Sequence, residues 1–442
     1  MQKVTKSILN SDLFPLSTII LIALLIFGLP LISKGYPYWA DNNPPTLNMG
    51  AFNELSDFTY ANSHNGLIYD GNFIVTNFLL NKVFKLINVF VPDIKTLSFL
   101  WVFLPYLTLY ICLYFSFKIL FGNKILSFFL ALFYIFSNLN FTQIIYGWST
   151  TTYSQAGGFL FLSYLIKYLR YPRLKYLVTM SLLSTICFVN VAHFYGVLVC
   201  SMIYFFVYVL VNKIEFKKII VLYRNLVLLP FFTIFVNAYW ILATIFMHVG
   251  KGFIFNFKDI YNTDVYTPFN TFNFLTSVSL FAKYAKVFSF FNSNLFRSSF
   301  VFLLLISFFY VIKYVHKNKY LKLIFSVYLL GFGISMGAKF SISWSLIKVL
   351  PGSFVFRSPQ LKIFPILFFL FSLLVGIVIS KYKPKLLIGS VCLVMLLGVI
   401  GFYKGNLFSY WKNIVIPDDY LSIIRYLDHP NNRYETVIIL PM

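Results

Sequence analysis

Carboxylates are scarce in this chain, so each one that sits beside aromatic or amide side chains draws attention. The sequence carries 13 Asp and Glu against 36 Lys and Arg. Asp41 closes the run Tyr36-Pro37-Tyr38-Trp39-Ala40-Asp41 just past the first apolar stretch. A carboxylate at that depth stands beside an aromatic belt at head-group level. It could take a proton from an attacking hydroxyl, or hold a divalent cation, Mg or Mn, against a pyrophosphate. Glu54, Asp57, His64 and Asp70 follow in the same polar stretch and are further candidates for acid–base or pocket roles. The plainer reading makes Asp41 the start of a turn with Asn42 and Asn43, and the others solvated loop residues.

A second group is cationic. Gly352 to Pro365 reads GSFVFRSPQLKIFP, with Arg357 and Lys362 around Ser358-Pro359. Proline is tolerated in the first turn of a helix because its missing N–H needs no intrahelical partner there. A helix opening at Pro359 would aim its free N–H groups at the space that Arg357 occupies, which suits a phosphate or pyrophosphate. The alternative is an ion pair between Arg357 and an outer-loop acid.

Uncharged polar side chains form a third group. The stretch 138–154, with Trp148 and Tyr153 followed by Gln155, offers stacking and hydrogen bonding to a sugar, or simply small residues that pack a helix start. Asn140-Phe141-Thr142 matches a glycosylation sequon, a weak signal. His193 lies at a turn between two apolar runs and reads as a ligand contact or an interface hydrogen bonder. Asn237 falls inside an apolar run, where an amide is costly unless paired, so a bond to a neighbouring helix is favoured over a pocket role. Trp240 fits an aromatic belt or the same pocket.

The elements that must position these residues follow from hydropathy. The chain has 442 residues, 59% hydrophobic, 11% charged, with mean hydropathy +0.79. The apolar runs are continuous rather than alternating, which selects helices over a membrane barrel. They predict an all-α polytopic membrane protein of about eleven transmembrane helices, within a range of roughly ten to thirteen, with interfacial helices in the outer loops. The spans are placed at about 14–33, 97–118, 123–137, 155–169, two within 174–211, 220–246, 297–312, 321–335, 363–379 and 384–402. Residues 73–91 read as a helix lying at the interface, or else as a further span.

Residues 1–402 thus form the helical domain, with outer loops 34–96, 138–154, 247–296 and 336–362. The tail 403–442 starts a short αβ unit, with a helix near 418–427 and a strand at 436–441. That strand either pairs elsewhere or begins an α/β domain in a longer product, and the second reading is slightly favoured. Lys and Arg cluster in one set of loops and acids in the other. The positive-inside rule then puts the N-terminus in the cytoplasm and the acidic face, with the C-terminus, outside. The net charge of +23 therefore points to anionic lipid rather than nucleic acid. No P-loop, GxGxxG, HExxH or GxSxG occurs, and the four Cys show no CxxC spacing.

Asp41, the run Asn237-Ala238-Tyr239-Trp240 and the run Phe356-Arg357-Ser358-Pro359 together resemble large prokaryotic membrane proteins of the GT-C glycosyltransferase superfamily. The arabinofuranosyltransferase-like group and its archaeal relatives are the nearest in flavour. The resemblance implies an inverting transferase in the cell membrane. Its donor is a polyprenyl-phosphate-linked sugar, its acceptor an extracytoplasmic glycan, lipid or protein, and its active site faces outward. The family's acid in the first outer loop matches Asp41. The usual adjacent pair of acids is missing, and Glu54 or Asp57 would stand in. The large outer domain of relatives is nearly absent, which implies a partner subunit or a C-terminal domain beyond this sequence. Two rivals remain open: a lipid or glycolipid flippase, and a non-catalytic cell-envelope assembly subunit.

Overall fold

The structure is a computed structural model that describes residues 12–28, 36–37, 78–91, 93–145, 149–215, 219–220, 223–238, 294–335, 359–404 and 413–414. The described residues form thirteen α-helices and one two-stranded pairing. In chain order the elements are α1 Leu13–Phe27, β1 Tyr36–Pro37, α2 Phe78–Phe90, α3 Ile94–Phe121, α4 Lys124–Ile135, α5 Asn138–Ile145, α6 Ser149–Arg170, α7 Leu174–Cys187, α8 Val191–Asn212, α9 Leu228–Val236, α10 Asn294–Val315, α11 Lys319–Ser335, α12 Pro359–Tyr382, α13 Lys385–Lys404 and β2 Asn413–Ile414. Short 3-10 turns precede α8 and α9.

This is an all-α, multi-pass membrane fold, and every expected span coincides with a helix. Among the described residues, fewer helices than the eleven expected are both long and apolar enough to cross. Five described helices are both long and apolar enough to cross a bilayer: Phe99–Phe121, His193–Asn212, Leu295–Val315, Ile363–Tyr382 and Lys385–Tyr403. Leu13–Phe27, Lys124–Ile135, Leu174–Cys187 and Arg224–Val236 are apolar but shorter. A rise of about 1.5 Å per residue leaves such helices short of a hydrocarbon core roughly 30 Å thick. Helix α6 is long enough, but its opening Ser-Thr-Thr-Thr dilutes its hydropathy.

Polar side chains set several helix ends. Asp93 accepts from the Thr96 N–H at 2.9 Å and caps α3. Asn123 does the same for Leu126 at the start of α4, and Asn318 for Tyr320 and Leu321 at the start of α11. Gly122 ends α3 in the left-handed region, φ 69°, where no β-carbon interferes. Lys213 and Lys383 adopt the same conformation, φ 51° and 47°, at the ends of α8 and α12. A β-carbon there costs about 1 kcal/mol.

Helix α12 is the spine. Its apolar window is 94% buried by protein, and it packs against α4, α6, α8, α10 and α11. Phe368, Phe369 and Phe371 project into an aromatic core. Phe369 stacks on Phe159 of α6 with centroids 4.8 Å apart and on Phe117 of α3 at 5.2 Å. Phe368 meets Phe133 and Tyr134 of α4 at 5.2 and 5.4 Å. With lipid as apolar as the side chains, this close packing is what holds the helices together.

The two ends of the bundle differ. One gathers Asp12, Lys118 and Lys124. There Asp12 accepts from Lys118 Nζ at 2.6 Å and from the Tyr114 hydroxyl at 2.7 Å, pinning the start of α1 to α3. At the same end the Tyr208 and Tyr223 hydroxyls donate to the Leu169 carbonyl, and the Arg170 guanidinium lies 3.9 Å from the centre of the Tyr320 ring. The opposite end is where α1 finishes, α6 and α12 begin, and β1 pairs antiparallel with β2 through Tyr36–Ile414 and Pro37–Asn413.

The helical region is described in part. Of the expected tail 403–442, residues 403–404, which end α13, and β2 are among the described residues, and 418–427 and 436–441 lie outside them. The expected interfacial helix at 73–91 is α2, whose Phe84 packs on Trp101 of α3 at 4.6 Å. The stretch 138–154, expected as a polar loop, is largely helical, being α5 and the first turns of α6.

Two outcomes test this packing. The hydrogen bond from Lys118, and then that from Tyr114, pulls the Asp12 carboxyl below its ordinary value of 3.8 to about 2. A depressed pKa contributes stability that is full above the unfolded value and is lost as pH falls through about 2. Asp12 is a third exposed, so Asp12→Asn should cost about 1 kcal/mol or less after screening by water. The loss should vanish in melts taken at the acid end of that window. Separately, a β-carbon on Gly398 would run into the Phe136 carbonyl, whereas one on Gly389 of the same helix meets nothing within 4 Å. Gly398→Ala should destabilise by roughly 1–3 kcal/mol, and Gly389→Ala should stabilise by about 0.5–1 kcal/mol. Equal melting temperatures for the two variants would contradict this α4–α13 contact.

Candidate functional site

Amide side chains are the unusual material of this bundle. Helix α4 stops at Ile135 because Ser137 and Asn138 interrupt the apolar run, and α5 restarts one turn later. Ser137 Oγ accepts from the Asn140 N–H at 3.2 Å and caps the new helix. Asn140 is fully buried, and its Nδ2 donates to the Tyr110 hydroxyl and to the Ile135 carbonyl, both at 2.8 Å. The sequon at this residue is therefore closed to glycosylation in the folded protein.

One turn further along α5, the Gln143 carbonyl accepts from the Tyr106 hydroxyl at 2.6 Å, and Gln143 Nε2 donates to Gln155 Oε1 at 3.0 Å. The two glutamines tie α5 to the start of α6. Each is only 1–2% exposed. Gln143 Oε1, Gln155 Nε2 and Asn140 Oδ1 are buried without a hydrogen-bond partner. A buried polar atom left unpaired costs about 1–3 kcal/mol. The pair thus leaves one acceptor and one donor unused within the helix packing.

The neighbouring small residues have a packing role. A β-carbon on Gly157 would come within 2.9 Å of Cys187 Sγ, and one on Gly158 within 2.5 Å of Val197. Both glycines let α6 approach α7 and α8. Ser154 Oγ donates to the Cys187 carbonyl at 2.7 Å and fastens the same contact.

Of the sequence grouping Trp148, Tyr153 and Gln155, the two described residues face different neighbours. Residues two apart on a helix point about 200° from each other. Gln155 meets α5, while Tyr153 packs with Phe84, Leu97 and Val189 under α2. Asn237 Nδ2 donates to Ser184 Oγ of α7 at 2.8 Å, the interhelical bond that an amide in an apolar run calls for. His193 is buried at the start of α8, the helix that packs on α6 at this level. Pro359 opens α12 as expected, and Lys362 falls in its first turn. Asp41, Glu54, Asp57, His64, Asp70, Trp148, Trp240 and Arg357 lie outside the described residues. Among the described residues no three His, Cys, Asp or Glu side chains come together as a metal site.

Sequence reasoning read Asn140 only as a sequon and did not single out Gln143, Tyr106 or Tyr110. A signal was present: Asn140 and Gln143 stand three apart between apolar residues, the spacing of one helix face.

Comparison of the chain with protein-family models, with curated proteins and with solved structures gave no match in any of the three.

The amide pair makes a stability prediction. Gln143→Leu combined with Gln155→Leu removes the unpaired atoms and should leave the melting temperature in detergent unchanged or raise stability by about 1–2 kcal/mol. Asn140→Ala breaks two made bonds and should cost about 2 kcal/mol. A loss from the double variant as large as that from Asn140→Ala would mean that the glutamine atoms are bonded within the protein.

Proposed function

We propose that the amide-bearing end of the bundle takes the sugar headgroup of a membrane lipid. The reaction is transfer of that sugar from a polyprenyl-phosphate-linked donor to a glycan, lipid or protein acceptor. The observation that carries the reading is the buried Gln143–Gln155 pair with one acceptor and one donor unused. Amides in that state suit a polyhydroxylated group better than an acyl chain or an ion. Two sequence connections add to it. Asp41 follows Pro37 of β1 by four residues, and Arg357 precedes Pro359 of α12 by two, so both candidate groups adjoin elements of this same end.

The acceptor oxygen attacks the anomeric carbon from the face opposite the lipid phosphate. The bond from that carbon to the phosphate oxygen breaks, and the configuration inverts. Asp41 takes the proton of the acceptor hydroxyl, with Glu54 or Asp57 as its partner. Arg357, with Lys362 nearby, balances the charge that grows on the leaving phosphate. A Mg or Mn ion, where one is used, belongs at Asp41. By the charge rule for loops, this end faces outward from the cell membrane and the lysine-rich end faces the cytoplasm.

An ion-coupled flippase fits less well. Over 363–380 the central helix α12 has no ionisable side chain, and a coupling ion needs one at mid-membrane.

The test is transfer by the purified chain in liposomes supplied with a panel of polyprenyl-phosphate sugars. Asp41→Asn should lower turnover by about 100-fold or more while donor binding persists, and Gln155→Leu should weaken donor binding or change the sugar preferred. Unchanged turnover in Asp41→Asn removes the proposed base. A wild-type chain that binds none of the panel removes the sugar reading altogether.

A further inference from the structure

The opposite end of the bundle holds a second feature, one that the transfer reading does not use. The turn from α10 to α11 carries Lys313, Lys317 and Lys319, and the turn from α12 to α13 carries Lys381, Lys383 and Lys385. All six are exposed. The two turns are clamped by Tyr314 and Tyr382, whose rings lie parallel, 5° apart in plane and 3.7 Å between centroids. Tyr310 stacks on Tyr314 and continues the aromatic ladder back along α10. Lys313 lies 5.6 Å over the Tyr314 ring and 5.9 Å over Phe309.

Among the described residues no carboxylate pairs with these six cations. The sequence has no Asp or Glu between Asp264 and Asp418. The described acids of this end are Asp12, held by Lys118 and Tyr114, and Glu215 at the end of α8. Among the described residues the ion pairs join Lys118 and Lys124 to Asp12, and none involves the six. Lys383 adds an independent sign. It takes the left-handed backbone, φ 47°, at a helix end where glycine is the favoured residue. The chain keeps a cation there at a conformational cost.

We infer that the two lysine-bearing turns and the Tyr314–Tyr382 stack form a binding site for an anionic phospholipid of the adjoining leaflet. The surface has the chemistry of that ligand. Below the lysines the outer faces of α10 and α13 are apolar, with Phe309, Ile312 and Leu386 exposed, and α10 packs directly on α13. Acyl chains run along those faces while the phosphate sits among the lysines at head-group level. A soluble anion would use the lysines but not the apolar strip.

The experiment reads lipid retained by the full chain, purified from vesicles of phosphatidylcholine alone or of equal parts phosphatidylcholine and phosphatidylglycerol, by mass spectrometry after delipidation. The wild-type chain should keep phosphatidylglycerol over phosphatidylcholine by about tenfold. Lys381→Gln, Lys383→Gly and Lys385→Gln together should abolish the preference. Lys167→Gln, Arg173→Gln and Lys175→Gln, made on the same end but away from the stack, should keep it. Lys383→Gly alone should raise the melting temperature while lowering retention, which separates binding from folding. Three results overturn the inference: equal retention of both lipids by the wild type, equal loss in the two triple variants, or displacement of the lipid by inorganic phosphate.

Discussion

Helix α12 meets protein rather than lipid on nearly every side, and this burial imposes the order of the other helices. An apolar helix gains nothing from leaving lipid for an apolar core, so its place must be set by contact geometry. The rings of Phe368, Phe369 and Phe371 supply that geometry. They interlock with Phe117 of α3, Phe133 and Tyr134 of α4, Phe159 of α6 and Phe300 of α10. Helices that come from distant parts of the chain are thereby fixed at one level. Gly376 sharpens the fit, since a β-carbon there would meet Leu130 and Phe121 within 2.7 Å. With the middle of the bundle fixed and dry, polar chemistry is confined to the two ends.

The ends solve different problems. At the lysine-rich end, hydroxyls and cations are matched to carbonyls and rings: Tyr208 and Tyr223 on Leu169, Arg170 on Tyr320, Lys118 on Asp12. Long side chains there reach the head-group layer, so surplus charge is solvated rather than buried. At the other end the polar groups are short amides, held inside the helix packing, where water does not pay for unmade bonds. Asn140 shows the structural use of an amide, with two donated bonds that join α5 to α3 and α4. Gln143 and Gln155 satisfy one another only by half.

Helix positions were legible in the sequence because continuous apolar runs between charged turns have one physical meaning in lipid. The caps were legible too, in Asp93, Asn123 and Asn318, since those residue types stabilise free N–H groups wherever a helix starts. Crossing ability was not. It depends on where a helix breaks, and the break at Ser137-Asn138 turns one expected span and a loop into α4 and α5. The site was legible only in part. Polarity marked 138–155, but an assumed loop has no fixed facing. The helical facing that separates Tyr153 from Gln155 and joins Gln155 to Gln143 comes from the restart of α6 at Ser149. Asn237 was read correctly as paired, because an amide among apolar residues has few other options. The pairing of β1 with β2 joins residues nearly 380 positions apart, and two-residue strands leave no periodicity to read.

The glutamine pair is the point where stability and the proposed function pull in different directions. A core selected for stability alone would fill those positions with leucine, since α5 is already held to α3 through Tyr106 and the Gln143 carbonyl. An unmade hydrogen bond in a low-dielectric interior is stronger when it is finally made than the same bond at a wet surface. Two such atoms, a donor and an acceptor on adjacent amides, therefore hold binding energy in reserve for a group that brings its own donor and acceptor. A hydroxyl brings both in one atom. Geometry of this kind discriminates sharply, because a ligand lacking the hydroxyl would leave the amides as costly as before. On the proposed reading, that is the physical reason to place recognition at α5 and α6.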